Sequence, residues 1–279
     1  MSLGKLLALL LWFPVPVATA ADTVRLTGYS LDITESAPAP AAVFGNRDLP
    51  IHLGIEGTTA EPASLRGDLL QIAGDLAMPL TKDMPLLAGI TFPGGSPQTL
   101  VTSVKLPEVK RRTAMLVRLR LISGGAKAIS IPLTDVRLSV FPASITKELT
   151  DLFKPKMDGA SRLVIFGPGK KLRHFLSDLK VVFEDGGEGI PDRFEADRLY
   201  FGELSSATQF RQAQDRKGGA RQALFFDDES LPPGIYASTS GAESLVTVSL
   251  PMLNHLADDP LAQLALIKIT DILSTNPSQ

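Results

Sequence analysis

Acidic residues follow several of the predicted strands in the second half of this sequence, at the points where those strands end. If the strands are parallel, their carboxyl ends meet at one edge of the sheet, where open α/β sheets bind ligands. Carboxylate oxygens are the ligands that hard cations such as Mg²⁺ and Ca²⁺ prefer. The pattern therefore predicts a metal site formed by Glu184, Asp185, Glu203, Asp227 and Asp228. The alternative is that acidic residues follow strands only because loops are polar and Asp favours turns.

A glycine-rich turn before one predicted helix offers a second kind of chemistry. Backbone amides at a helix N-terminus attract anions, so Gly167, Gly169 and Lys170 form a candidate anion site. The segment is not a P-loop, because Val164 stands where that motif has its first glycine and Lys171 where it has Ser or Thr. The competing interpretation, which we favour, is a tight turn that only connects a strand to a helix.

Segment 184–195, which reads EDGGEGIPDRFE, resembles the calcium loops of EF-hand and thrombospondin-type repeats in its length and its acidic end. Glu188, Asp192 and Glu195 stand at loop positions five, nine and twelve. Gly186 stands at position three, where such loops carry an oxygen ligand. A solvated acidic turn is therefore the favoured interpretation, and a calcium site is the alternative.

The sequence lacks the residues that the common forms of covalent catalysis require. It has no cysteine and three histidines, His52, His174 and His255, which fall in three separate predicted elements. His174 is predicted to lie with Arg173 on the wet face of its helix. Neither a G-x-S-x-G elbow nor an H-E-x-x-H helix occurs. We therefore assign no catalytic residue.

Composition limits the compartment and the class of partner. The apolar run Leu6–Phe13, followed by small residues at 18–20, predicts a secretory signal peptide over residues 1–20. We therefore expect a periplasmic or extracellular protein. No later run reaches the length of a membrane span, so none is expected after signal cleavage. A formal net charge of −2 gives no bulk attraction to nucleic acid.

Residues 21–142 predict an all-β sandwich domain. Residues 117–121 alternate between apolar side chains and arginines, which is typical of an antiparallel strand with one wet face. Other short strands of similar length are separated by clusters of Gly, Pro, Asn and Ser, as in sandwiches. Residues 68–80 are ambiguous, because their apolar spacing fits one face of a helix whereas their glycine and proline oppose a helix.

Residues 143–279 change to alternating strands and helices, which predicts a three-layer α/β domain. Leu172, Phe175 and Leu176 have the spacing of a core-facing helix stripe. The run KVVFE that follows is predicted as the second strand of the sheet. Asp259, which precedes a proline, is predicted to cap the last helix.

The segment from about Ser161 to Leu273 resembles the flavodoxin-like domains related to class I glutamine amidotransferases. The resemblance rests on a strand-GPG-helix unit at 161–179, a helix-KGG-strand unit at 205–227 and the closing helix. Active members of that family use a cysteine nucleophile, which this sequence lacks. The resemblance therefore implies a flavodoxin-like fold in either a non-catalytic relative or one with different chemistry. It does not extend to the first half of the chain.

These observations together predict an exported protein with two domains, a β-sandwich followed by a flavodoxin-like α/β domain. The predicted function is a non-catalytic binding or assembly module of the periplasm or cell envelope, with an unidentified protein or small molecule as its partner. The alternative is a metal-assisted hydrolase that uses Mg²⁺ or Ca²⁺ bound by the carboxylates at the strand ends.

Overall fold

The computed structural model of the chain describes residues 23–31, 40–59, 61–92, 96–124, 128–154, 162–195, 197–215, 221–226, 234–240, 243–249 and 251–274. The predicted signal peptide lies outside these ranges and stays a prediction. Within them the protein is rich in β structure, with three sheets and few helices. None of the described helices combines the length and apolarity that crossing a bilayer requires.

The first half of the chain forms two sheets, built mainly from antiparallel strands. The strands are β1 (Thr23–Leu31), β2 (Ala41–Phe44), β3 (Asp48–Thr58), β4 (Ala63–Ala73), β5 (Leu76–Ile90), β6 (Gln98–Lys105), β7 (Thr113–Ile122) and β8 (Ser130–Phe141). One sheet has the order β1-β3-β6 and the other the order β2-β8-β7-β4-β5. Strand β2 is parallel to β8, whereas the other neighbours in both sheets are antiparallel.

These two sheets share one apolar core, because their inward-facing side chains alternate with outward-facing ones. Ile51 and Leu53 of β3 are fully buried and belong to the same cluster as Val117 and Leu119 of β7. The alternation predicted for β7 is confirmed, since Arg118 between those two residues is exposed. Packing of two sheets around one core is compatible with the predicted β-sandwich, which stays a prediction.

The ambiguous segment 68–80 forms a β-hairpin, so its helical interpretation is wrong. Strands β4 and β5 pair up to Ala73 and Leu76, and a two-residue turn joins them. Gly74 in that turn has a φ of 61°, a conformation that glycine adopts without strain. Pairing of β4 with β7 places Leu69 in the core, a tertiary contact that helical spacing alone does not reveal.

The second half of the chain forms a six-stranded sheet with helices. Its elements are α1 (Ser144–Leu152), β9 (Leu163–Phe166), α2 (Lys171–Asp178), β10 (Glu184–Asp185), β11 (Leu199–Leu204), α3 (Ala207–Asp215), β12 (Arg221–Phe226), β13 (Gly234–Ser240), β14 (Glu243–Ser249), a 3-10 helix (Pro251–Asn254) and α4 (Pro260–Ser274). The strand order is β10-β9-β11-β12-β14-β13, and all neighbours are parallel except β13 and β14.

Two strands of this sheet differ from their sequence-based predictions. The prediction of a strand at KVVFE, residues 180–184, is wrong for all but Glu184, because the strand at this edge is the two-residue β10, which pairs with Val164 and Ile165. Strand β13 received no prediction, yet it pairs with β14 along all seven of its residues. The cap predicted for the last helix is confirmed, because Asp259 Oδ1 accepts a hydrogen bond from the Leu261 amide at 2.8 Å.

A hydrophobic junction connects the two halves. Side chains of α1, α2 and α4 pack on one face of the parallel sheet, and this cluster also includes Phe44 and Phe141 from the five-stranded sheet. Arg47 in the turn after β2 pairs with Asp258 before α4 at 3.2 Å. The predicted boundary at 142/143 lies between β8 and α1. The division into two domains and the independent folding of the two halves stay predictions.

Candidate functional site

The glycine-rich turn lies at the point of the parallel sheet where ligand binding is expected. Strand β10 lies on one side of β9, and β11 and β12 lie on the other, so the chain order reverses between β9 and β11. In open α/β sheets the ligand crevice is outside the carboxyl ends of the two strands at such a switch point. The turn from Gly167 to Lys170 follows β9, and Glu203 is near the end of β11.

The carboxylate of Glu203 occupies the position at which an external anion would bind. Its Oε1 accepts a hydrogen bond from the Lys171 amide at 3.2 Å, and its Oε2 accepts one from the Leu172 amide at 3.0 Å. These are the first amides of α2, which otherwise have no partner within the helix. Glu203 is only 6% exposed, so the protein supplies its own anion to this helix end.

Both glycines of the turn pack directly against β11. A Cβ atom on Gly169 would lie 2.1 Å from Cγ of Glu203, and one on Gly167 would lie 2.3 Å from the Glu203 carbonyl oxygen. Gly167 also has a φ of 97°. The amide of Gly169 donates to that same carbonyl at 3.3 Å. The turn therefore closes on β11, and an anion at Gly167, Gly169 and Lys170, which stays a prediction, would have to displace Glu203.

Arg173 holds the neighbouring loops together beneath this turn. Its guanidinium donates to the carbonyl oxygens of Gly167 and Gly187, each at 2.9 Å, and to the Ile165 carbonyl oxygen at 3.3 Å. It also bonds to Asp185 Oδ1 at 3.0 Å. Its side chain is 15% exposed, so the predicted position on a wet helix face is wrong. Arg173 is enclosed because carbonyl groups at the ends of neighbouring elements surround the first turn of α2, a tertiary contact that helical spacing does not reveal.

The remaining described carboxylates of the predicted metal site have separate partners. Asp185 accepts a hydrogen bond from the Gly187 amide and another from Arg173, which together hold its pKa below the ordinary value. Glu184 pairs with Arg198. In the described part of the chain, no group of three or more His, Cys, Asp or Glu side chains is placed to hold a metal ion.

Asp227 and Asp228 belong to the predicted metal site but lie outside the described residues. The five-residue metal site, and with it Mg²⁺ or Ca²⁺, therefore stays a prediction. What the described residues establish is that Glu203 contacts α2, Asp185 contacts Arg173 and Glu184 contacts Arg198.

A cation from just outside the acidic segment 184–195 pairs with both of its ends. Arg198 bonds to Glu184 at the first position of the segment and to Glu195 at the last, with its Nε 2.7 Å from Glu195 Oε2. The bond to Glu184 is the main reason that the pKa of Arg198 is raised. The guanidinium thus joins the two ends of the segment, which supports the interpretation of a solvated acidic turn.

Among the described residues, two cavities lie away from the switch point, and neither was predicted by a sequence pattern. A cleft of about 270 Å³ at the junction of the two halves is lined by Phe44, Arg47, Leu49, Leu106 and Asp258, among other residues. The Arg47 guanidinium lies 5.0 Å from the centre of the Phe44 ring. The ion pair and this cation–π contact already engage Arg47, and the remaining lining is mainly apolar, with Asp48 as a further charged residue.

The second cavity, of about 200 Å³, lies at the opposite end of the parallel sheet from the turn. Lys154, Arg162 and Arg221 line it, together with Asp197 and Ser274. The C-terminal ends of α1 and α4 meet here, and cations are favourable beside the unpaired carbonyl groups of helix C-termini. A basic lining is therefore favourable at this end of the sheet.

No family model matches this sequence, and no curated protein sequence matches it. Among solved structures, the chain is similar to a Niemann-Pick type C2 protein from Japanese carpenter ant, with 3% identity over 42% of this chain and 92% of that chain, and a TM-score of 0.32. It is also similar to the sporulation control protein Spo0M from Bacillus subtilis, with 12% identity over 46% of this chain and 54% of that one, and a TM-score of 0.30. Likenesses this weak carry no functional inference.

Proposed function

We propose that this chain is an exported, non-catalytic binding or assembly module of the periplasm or cell envelope. The observation that supports this proposal most directly is the closed switch point. The Glu203 carboxylate accepts hydrogen bonds from the first two amides of α2, and the turn glycines pack against Glu203. The crevice that serves as the ligand site in open α/β sheets is thus filled by Glu203.

The pairing of charged groups gives further support to a structural role for this end of the sheet. An enzyme site requires groups that are held in place but available to a substrate. Arg173 instead bonds to backbone carbonyl groups and to Asp185, and Arg198 bonds to Glu184 and Glu195. These contacts stabilise the loops and leave little capacity for binding a reacting group.

We also propose that the second half is a flavodoxin-like domain. Its first four strands lie in the order β10-β9-β11-β12. The second strand along the chain is thus at the edge beside the first, and the third and fourth follow on the other side, as in flavodoxin-like sheets. The difference is at the other edge, where β14 pairs with β12 and the antiparallel β13 is added outside it. A relationship to the glutamine amidotransferases has no support from the structural neighbours, and the absence of cysteine opposes their chemistry.

Assays on ester, phosphate and glycoside substrates, with Mg²⁺ or Ca²⁺ present, test this proposal against the metal-assisted hydrolase. We expect background rates that are the same for the purified protein and for variants Glu184→Gln and Asp227→Asn. Calorimetry with each metal should show no binding heat at millimolar concentration. Turnover or binding heat that is abolished by Asp227→Asn would overturn the non-catalytic proposal, because it would identify a functional acidic rim.

Export has a separate test. Mass spectrometry of protein recovered from the native host should place the mature N-terminus at Ala21, or within a residue or two of it, if residues 1–20 are a signal peptide. A soluble cytoplasmic product that retains Met1 would contradict export and leave the closed switch point unaffected.

A further inference from the structure

Strand β13 is an edge strand without the features that protect sheet edges. It pairs with β14 on one side and, among the described residues, with no strand on the other. Its sequence, GIYASTS, contains neither a proline nor a charged residue, and its seven pairs with β14 continue without a register shift. Proteins usually protect such an edge with proline, lysine, bulges or very short strands.

The other edge strands of the described sheets show these protective features. Strand β5 contains Pro79, Lys82 and Pro85, and its pairing with β4 has several register shifts. Strand β10 has two residues and β2 has four. The pairing of β1 has a register shift after Leu26, and β6 lies against β5 of the facing sheet. Strand β13 therefore differs from the other edges of the same protein.

Side chains on both faces of β13 are exposed. Ile235 and Tyr236, which point to opposite faces, are 42% and 47% exposed, and Ala237 and Ser238 are exposed as well. An added strand would therefore gain backbone hydrogen bonds along its length and apolar contacts above and below the sheet. Strand addition at an exposed edge is an established mode of protein association.

We propose that β13 pairs antiparallel with β13 of a second copy of this chain, so that two six-stranded sheets become continuous across a twofold axis. This inference rests on the proposed assembly function and names the partner. A twofold interface brings each residue of the strand opposite another residue of the same strand. With Ala237 at the centre, Ile235 lies opposite Thr239 and Tyr236 opposite Ser238. Because the strand has no charge, self-pairing creates no like-charge repulsion.

Charge-swapped variants at the centre of the strand test this pairing. Light scattering after size exclusion should give twice the monomer mass for the unaltered protein at about 100 µM, where a micromolar dimer is mostly assembled. Ala237→Lys and Ala237→Glu should each give the monomer mass, because two like charges would lie opposite each other. An equimolar mixture of the two variants should restore the dimer. Val101→Lys, an exposed position on edge strand β6, is the matched control and should leave the dimer intact.

Hydrogen exchange provides a second measurement that does not depend on the mass. Outward-facing amides of β13 should exchange slowly in the dimer and at least tenfold faster in Ala237→Lys, while amides of β11 should keep their protection. A monomer at every concentration, a dimer that persists in both variants, or a mixture that fails to restore it would overturn the proposal. Addition of a foreign extended peptide to a monomeric protein would also overturn it. None of these outcomes bears on the hydrolase assays, so the proposed function can survive the failure of this inference.

Discussion

The turn after β9 and the edge strand β13 belong to the same sheet, but their backbone groups differ in how they are satisfied. At the turn, Glu203 accepts hydrogen bonds from the first amides of α2, and Arg173 donates to the surrounding carbonyl groups. Along β13, one side of the strand has no partner strand among the described residues. The contrast indicates that the switch point, where α/β proteins usually bind ligands, is filled by the protein's own side chains. The edge strand, which proteins usually protect, has no protective feature in this sheet.

The two glycines of the turn give the largest expected effect. Gly167→Ala and Gly169→Ala should each lower the free energy of unfolding by about 2–4 kcal/mol, because the added methyl group meets Glu203 and, at Gly167, the backbone φ is also unfavourable. Denaturant titration measures this loss. Gly189→Ala in the next loop is the control, since no atom lies within 4 Å of its added Cβ, and it should change stability by less than about 0.5 kcal/mol. An equally small effect at Gly167 would mean that the turn is not closed on β11.

The carboxylate that caps α2 should have the next largest effect. Glu203→Ala leaves two amides without their acceptor and should cost about 1–3 kcal/mol of stability. Glu203→Gln should cost less, because its amide oxygen still accepts one of the two hydrogen bonds. Thermal or denaturant unfolding distinguishes the three proteins, with Glu188→Ala as an exposed carboxylate control. Greater stability in Glu203→Gln would instead indicate that the buried charge is retained for function at a cost in stability.

The stability of the two sheets in the first half of the chain should depend on pH through Asp68. Burial raises its pKa, but hydrogen bonds from Arg120 and from the Asp83 amide outweigh burial and leave the pKa below its ordinary value. A carboxyl group with a lowered folded-state pKa stabilises the protein above the unfolded pKa of about 3.9, and this contribution is lost as pH falls through the folded value. Asp68→Asn should therefore reduce the difference in unfolding free energy between pH 7 and pH 3.

The effect of Asp185 on the pH dependence of stability can be compared with that of Asp68. Its pKa is also lowered, by the Gly187 amide and then by Arg173. Its side chain is 62% exposed, whereas that of Asp68 is 18% exposed, so solvent screens its contribution more strongly. Asp185→Asn should alter the same pH difference less than Asp68→Asn does. The reverse order would show that the loops at the switch point contribute more to the pH dependence of stability than the sheets of the first half do.

The smallest effect on folding is expected at β13. Ala237→Lys should change the unfolding free energy of the monomer by less than about 0.5 kcal/mol, because the residue is exposed and lysine is tolerated on edge strands. Denaturant titration at a concentration below dimer assembly measures this value. Together with the glycine variants, this result would show that the turn after β9 contributes to stability, whereas β13 can change without loss of stability. A large loss of stability would mean that Ala237 is packed within its own chain.

Local sequence signals located several elements correctly. Residues 117–121 form part of an antiparallel strand with Arg118 exposed, and Leu172, Phe175 and Leu176 form the buried side of α2. These predictions succeed because burial of one face imposes a period of two on a strand and about 3.6 on a helix. The hairpin at 68–80 was ambiguous because a few apolar residues fit both periods, and pairing with β7 decided between them.

Sequence patterns alone are sufficient to locate the turn at Gly167, the cap at Asp259 and the order of many strands and helices, and to exclude a cysteine nucleophile. These are properties of neighbouring residues or of composition. In contrast, the capping of α2 by Glu203, 31 or 32 residues away, and the enclosure of Arg173 by carbonyl groups could not be predicted from local patterns. Both contacts depend on which strands become neighbours, and parallel neighbours are brought together by connections that local periodicity does not specify.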